Sequence, residues 1–176
     1  MIAFARALGT AHTGDLTAAQ AEIAKLQALK DKLLEAKDTY WANQVEVQRL
    51  GASAIAVYAQ GDGKKAVELA RAAADLEATM DKHPATPAAV LPARELLADL
   101  LLQLDDPKSA LQEYELTLKG ERNRFRSILG KARAAQKSGD VSAARDAYQK
   151  LLGLSGEADP EKPELAEAKA FLAKNI

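Results

Sequence analysis

Apolar side chains recur along the chain at alternating steps of four and three residues. One such stretch contains Ala19, Ile23 and Leu26, and the same spacing returns at Ala144 and Tyr148. Steps of four and three return to the same face of an α-helix, whereas a half-buried strand alternates at every second residue. The pattern therefore predicts amphipathic helices and not a sheet.

Short segments that contain glycine, proline or aspartate separate the helical stretches. We predict nine helices, near residues 2–12, 16–36, 39–59, 64–82, 91–103, 108–119, 123–137, 141–153 and 163–174. The fifth helix is predicted to begin at either Pro87 or Leu91, since Pro92 is compatible only with a first helical turn. The ninth, with Pro163 in its first turn, is predicted to cover the last repeat with Leu165, Ala168 and Leu172, while Glu164, Glu167 and Lys169 face water.

A tight turn recurs between the helices. Three near-identical copies are Thr13-Gly14-Asp15, Gln60-Gly61-Asp62 and Ser138-Gly139-Asp140, and Leu104-Asp105-Asp106 is a degenerate fourth. Glycine suits the left-handed position after a helix end, and the aspartate can cap the next helix by accepting from its free N–H groups. We therefore expect these segments to join antiparallel helices.

Small residues occupy two fixed places in each of the four units. One alanine precedes each turn and a second follows the turn. The second alanine lies twelve residues after the first: Ala7 and Ala19, Ala54 and Ala66, Ala98 and Ala110, Ala132 and Ala144. Two helices joined by a tight turn can approach closely where neither side chain extends past a methyl group. The last two units are 34 residues apart, and the earlier spacings are 47 and 44 residues.

This pattern of small residues, turn and period resembles the tetratricopeptide repeat (TPR) family. The chain also resembles the C-terminal segment of larger bacterial TPR proteins of unassigned function. The resemblance implies an all-α fold, an antiparallel helix-pair solenoid with a TPR-like superhelix, about four helix pairs and a C-terminal capping helix. The expected organisation is one repeat domain over 1–176, with units near 1–36, 38–82, 88–120 and 122–154 and the capping helix at 163–174.

Composition and charge narrow the function. The 24 basic and 25 acidic residues give a net charge of −1, cysteine is absent, and the two histidines, His12 and His83, lie far apart. No apolar run approaches the roughly 20 residues that span a bilayer, and no signal peptide precedes the first helix. We therefore expect no enzymatic activity, metal, cofactor, nucleic-acid partner or membrane association, and the compartment stays open.

In a TPR array the first helix of each pair lines a concave groove. The resemblance therefore implies that a set of polar and apolar side chains faces a partner: Gln48, Ile55, Tyr58, Glu95, Asp99, Gln103, Arg126, Arg133 and Lys137. The segment from Lys119 to Lys137 has seven basic residues and one acid. Arg126, Arg133 and Lys137 share one helical face, which could grip a carboxylate. Alternatively, Glu95 and Asp99 pair with these arginines.

The sequence thus predicts a protein-interaction scaffold that binds a peptide or partner segment. The acidic part of that segment would lie on the basic stripe formed by Arg126, Arg133 and Lys137. The alternative is a self-association or structural segment of a larger TPR protein with no ligand of its own. The first helix has no N-cap residue ahead of it, which suggests further chain upstream, and its Ile2, Phe4 and Leu8 could form a homodimer. Trp41 is expected to pack against Leu33 and Leu34.

Overall fold

The computed structural model of the chain describes residues 1–80, 89–156 and 162–174. These ranges form nine α-helices: α1 (Ile2–His12), α2 (Leu16–Glu35), α3 (Thr39–Ala59), α4 (Gly63–Ala78), α5 (Ala93–Gln103), α6 (Pro107–Gly120), α7 (Phe125–Ser138), α8 (Val141–Ser155) and α9 (Pro163–Lys174). No strand occurs in this part of the chain. The predicted all-α fold class is confirmed.

The helices form two compact units, Met1–Leu97 and Ala98–Ile176, and the division falls within α5. In the first unit α1 packs on α2, α2 on α3 and α3 on α4, and α1 also contacts α3. In the second unit α6 packs on α7, α7 on α8 and α8 on α9. Each of these helices packs on its neighbour in sequence, as the units of a helical repeat do.

The turns between helices have the predicted geometry. The three turn glycines have left-handed backbones, with φ of 83° at Gly14, 91° at Gly61 and 83° at Gly139. The aspartate after each glycine caps the next helix, as when Asp62 accepts from the Lys65 N–H. In the degenerate copy Asp105 takes the glycine's place at φ 61°, and Asp106 caps α6.

A fifth turn of this kind, which the sequence reading missed, joins α2 to α3. Lys37 lies in the left-handed region with φ 59°, and Asp38 accepts from the Trp41 N–H at 3.2 Å. A lysine in the glycine place hid this copy. The turn is therefore specified more strongly by the capping aspartate than by the glycine.

The repeated alanines all lie in the core. All eight of them, Ala7, Ala19, Ala54, Ala66, Ala98, Ala110, Ala132 and Ala144, have no exposed surface. Larger side chains beside them fill the core, including Tyr114, Tyr148, Leu100 and Ile128. The expectation that these positions are buried is confirmed.

Two helices begin slightly later than predicted. The fifth helix begins at Ala93, not at 87 or 91, because a residue before proline is disfavoured in helical geometry and Pro92 supplies the first helix-accepting carbonyl, to Leu96. The seventh begins at Phe125 and not at 123. Residues 81–88, which include His83 and the predicted boundary between the second and third units, lie outside the described residues.

Helix α9 packs on α8 as the predicted capping helix. Leu165, Ala168 and Phe171 are its buried residues, and the Phe171 ring lies 4.9 Å from that of Tyr148 between centroids. Phe171 thus contributes more to this contact than Leu172, which is only partly buried. Glu167, expected to face water, has a side chain that is only 33% exposed and is bound by two others of the second unit.

Candidate protein-interaction face

Helix α7 carries three cations at steps of seven and four residues. One side of the helix lies in the core through Ile128, Leu129 and Ala132. The side chains of Arg126, Arg133 and Lys137 are 63%, 45% and 53% exposed. The predicted basic stripe therefore reaches solvent within the second unit, where a binding partner could contact it.

Arg126 forms a bridge to helix α5. Its Nη2 and Nε lie 2.6 and 3.2 Å from Oδ2 of Asp99. The other carboxylate oxygen, Oδ1, accepts a 2.5 Å hydrogen bond from the hydroxyl of Tyr114, which is buried on α6. The Asp99 carboxylate is thus held by a guanidinium at the surface and by a phenol below it.

Arg133 forms a similar bridge to helix α9. Its Nε donates to Oε1 of Glu167 at 2.9 Å and its Nη2 donates to Oε2 at 2.6 Å, a bidentate pair. The buried Tyr148 of α8 places its hydroxyl 2.8 Å from Glu167 Oε1 and 3.0 Å from the amide oxygen of Gln136. Since a hydroxyl has one proton and a carboxylate is the stronger acceptor, Tyr148 donates to Glu167.

These contacts fix the protonation states of the group. Hydrogen bonds from Arg133 lower the pKa of Glu167; burial opposes this effect, and the Tyr148 hydroxyl adds to it. Burial and the neighbouring Glu167 raise the pKa of Tyr148 well above its ordinary value. At neutral pH Glu167 is therefore a carboxylate and Tyr148 a protonated donor.

Lys137 has a looser acidic neighbour. Its Nζ lies 3.4 Å from Oδ1 of Asp105, in the turn between α5 and α6, and both side chains are largely exposed. Each cation of the stripe thus faces a carboxylate, and the three acids balance the three bases. The sequence alternative of arginines paired with neighbouring acids describes Asp99 correctly, but Glu167 was not foreseen in this role.

Gly130 is a further contributor that the sequence reading passed over. It lies inside α7, and a β-carbon built on it would come within 2.6 Å of the Tyr114 hydroxyl oxygen and closer still to the ring. The missing side chain lets Tyr114 reach Asp99 past α7. A glycine in the middle of an otherwise strong helix was the available sequence signal, because such a residue usually marks a close approach.

The other predicted groove residues have mixed positions. Gln103 is exposed, whereas Glu95 is fully buried, with 0% of its surface exposed, and is not presented to a partner. In the first unit Ile55 is also buried, Tyr58 is partly exposed, and the Gln48 side-chain oxygen accepts from the Met1 amino group at 3.4 Å. Of the predicted residues, Asp99 and Arg126 bind each other directly.

Two properties of the described ranges bear on other functions. Within residues 1–80, 89–156 and 162–174, no group of three or more His, Asp or Glu side chains is placed to hold a metal ion. None of the helices in these ranges is both long enough and apolar enough to cross a membrane.

Comparison with solved structures supports the helical-repeat fold. PcrH from Pseudomonas aeruginosa matches with a TM-score of 0.56 and 18% sequence identity, over 73% of this chain and 90% of PcrH. No protein-family model and no curated protein matches the chain. At this identity the likeness bears on the fold alone, and it agrees with the predicted TPR-like helix-pair architecture.

Proposed function

We propose that this chain is a protein-binding helical-repeat module that takes up a peptide or partner segment on the face formed by α5, α7 and α9 in the second unit. An acidic part of the partner binds at Arg126, Arg133 and Lys137. The proposed role is binding of this partner segment.

One observation carries the proposal. The side chains of Arg126, Arg133 and Lys137 stay about half exposed even while they are paired with carboxylates. Surface ion pairs contribute only about 0.2–1 kcal/mol each, so a partner can engage these cations without unfolding the unit. Arginine also matches carboxylates with two parallel hydrogen bonds, which favours an acidic segment.

A peptide-display selection on the immobilised chain tests the proposal. Selected peptides should be acidic, and fluorescence anisotropy should show about tenfold weaker binding to the Arg126→Gln/Arg133→Gln variant. The Lys64→Gln/Lys65→Gln variant loses the same charge from exposed sites on α4 and should bind normally. Circular dichroism first establishes that both variants fold.

The outcomes separate the alternatives. Absence of any enriched peptide would contradict a peptide-binding role. Enriched peptides that bind both variants equally would keep the scaffold role and move the site off α7.

Self-association is a second candidate, favoured by one feature of α1. The Ile2 side chain is 72% exposed, beside an exposed Met1. Exposed apolar side chains that adjoin one another can form a contact surface. Light scattering should then show a dimer that Ile2→Lys abolishes, and a monomer at all concentrations would exclude it.

A further inference from the structure

We infer that Asp99 and Glu167 are resident anions of the α7 cationic stripe, so that an acidic partner binds by exchange with them and not by addition to unoccupied cations. This inference rests on the proposed function and specifies how its site would work. The two carboxylates take the places that the partner's own carboxylates would occupy.

The first reason is the geometry of the two arginines. Arg133 directs both Nε and Nη2 at Glu167, and Arg126 directs the same two nitrogens at Asp99. The Nε–Nη2 edge of a guanidinium is one that a carboxylate grips with two parallel bonds. A partner carboxylate that binds this edge of either arginine must therefore displace Asp99 or Glu167 from it.

The second reason is the support beneath each carboxylate. Tyr114 donates to Asp99 and Tyr148 donates to Glu167, at 2.5 and 2.8 Å. Both tyrosine rings are buried, so their hydroxyls cannot follow a carboxylate out to solvent. The phenols hold Asp99 and Glu167 in the face and so strengthen the internal competitor.

The arrangement also limits which partner can exchange. The two arginines are seven residues apart on α7, a separation of about 10 Å along the helix axis at 1.5 Å per residue. A single carboxylate can displace one resident anion only. The partner class is therefore an acidic segment that presents at least two carboxylates, one for each arginine.

Removal of the resident anions should tighten binding. The probe is fluorescein-labelled hexaglutamate, and anisotropy is measured on the full chain at low and moderate salt. With about a threefold effect for each weak surface pair, Asp99→Asn/Glu167→Gln should bind about tenfold tighter than the unaltered chain. Added Arg126→Gln/Arg133→Gln should remove that gain.

A matched control separates exchange from net charge. Glu115→Gln/Asp146→Asn makes the same charge change in the same unit, and it releases Lys131 of α7 from its 3.0 Å contact with Glu115. This pair should change affinity by less than about twofold. Equal tightening in both double variants would overturn the inference, because overall charge would then explain the result.

A second variant covers the case in which Asp99→Asn/Glu167→Gln does not fold. Tyr114→Phe/Tyr148→Phe keeps the buried rings and removes only the two hydroxyls, so it should also tighten binding, though by less. Unchanged affinity in folded variants, with clear binding by the unaltered chain, would overturn the exchange alone. No binding by any form at low salt would overturn both the exchange and the acidic-partner form of the proposed function.

Discussion

The ring of Tyr114 passes α7 directly at Gly130, where a β-carbon would lie within 2.6 Å of the hydroxyl oxygen. This contact lets a buried side chain of α6 reach Asp99 on α5. The absence of a side chain at Gly130 and the large ring of Tyr114 therefore depend on each other. A larger residue at position 130 would require a smaller one at position 114.

Gly130→Ala should destabilise the fold. The added methyl group collides with the Tyr114 ring, and overpacking of this kind costs about 1–3 kcal/mol, which outweighs the gain in helix propensity of about 1 kcal/mol. Urea denaturation measures the difference. Gly153→Ala in α8 is the matched control, since no side chain or other segment beyond its own helix backbone and chain neighbours lies within 4 Å of the added carbon, and it should be neutral or stabilising. Equal effects at both glycines would contradict the close contact.

The Arg133–Glu167 pair should make the free energy of unfolding depend on pH in the acidic range. Because the folded-state pKa of Glu167 is lowered from its ordinary value of 4.5, its contribution is fully present above that value. It is lost as the pH falls through the folded-state pKa. Glu167→Gln should therefore narrow the difference in urea midpoint between pH 7 and pH 3.

The control for this acid dependence is Glu115→Gln, an exposed change of the same charge on α6. Its urea midpoints should keep the pH dependence of the unaltered chain more closely than those of Glu167→Gln. If the urea midpoints of the unaltered chain and of Glu167→Gln fall by the same amount between pH 7 and pH 3, the Arg133–Glu167 pair contributes nothing to the stability of the fold.

Lys37→Gly should stabilise the turn between α2 and α3. A non-glycine residue in the left-handed region costs roughly 1–2 kcal/mol, which the change to glycine removes. The greater freedom of glycine in the unfolded chain offsets part of that stabilisation. We expect a net gain of about 0.5–1 kcal/mol in urea denaturation. Lys37→Ala keeps the β-carbon and should give no such gain, so an equal effect of both changes would disprove the cause.

Trp41 should report an exposed environment. Although this residue is expected to pack against Leu33 and Leu34, 46% of its surface stays exposed, as does 48% of the Leu34 surface. Its ring makes an edge contact with Tyr40, 5.3 Å between centroids. Since Trp41 is the sole tryptophan, fluorescence emission should be red-shifted in the folded chain and readily quenched by iodide. A blue-shifted, protected emission would contradict this.

Local features of the fold were accessible from the sequence because their causes are local. Asp62 caps α4 through an N–H only three residues away, and the Gly61 backbone conformation depends on its own lack of a side chain. Ala132 and Ala144 are buried where the periodic pattern places them. The same periodicity identified Arg126, Arg133 and Lys137 as one helical face.

The charges around that face were decided by the tertiary structure. Glu167 lies 34 residues from Arg133 in sequence, so only the packing of α9 on α8 explains why it is a partner and not a solvated residue. Glu95 is close in sequence to Asp99, yet it is buried while Asp99 pairs with Arg126. Helical periodicity assigns a side chain to a face, but the tilt and depth of a helix in its unit decide which polar groups meet.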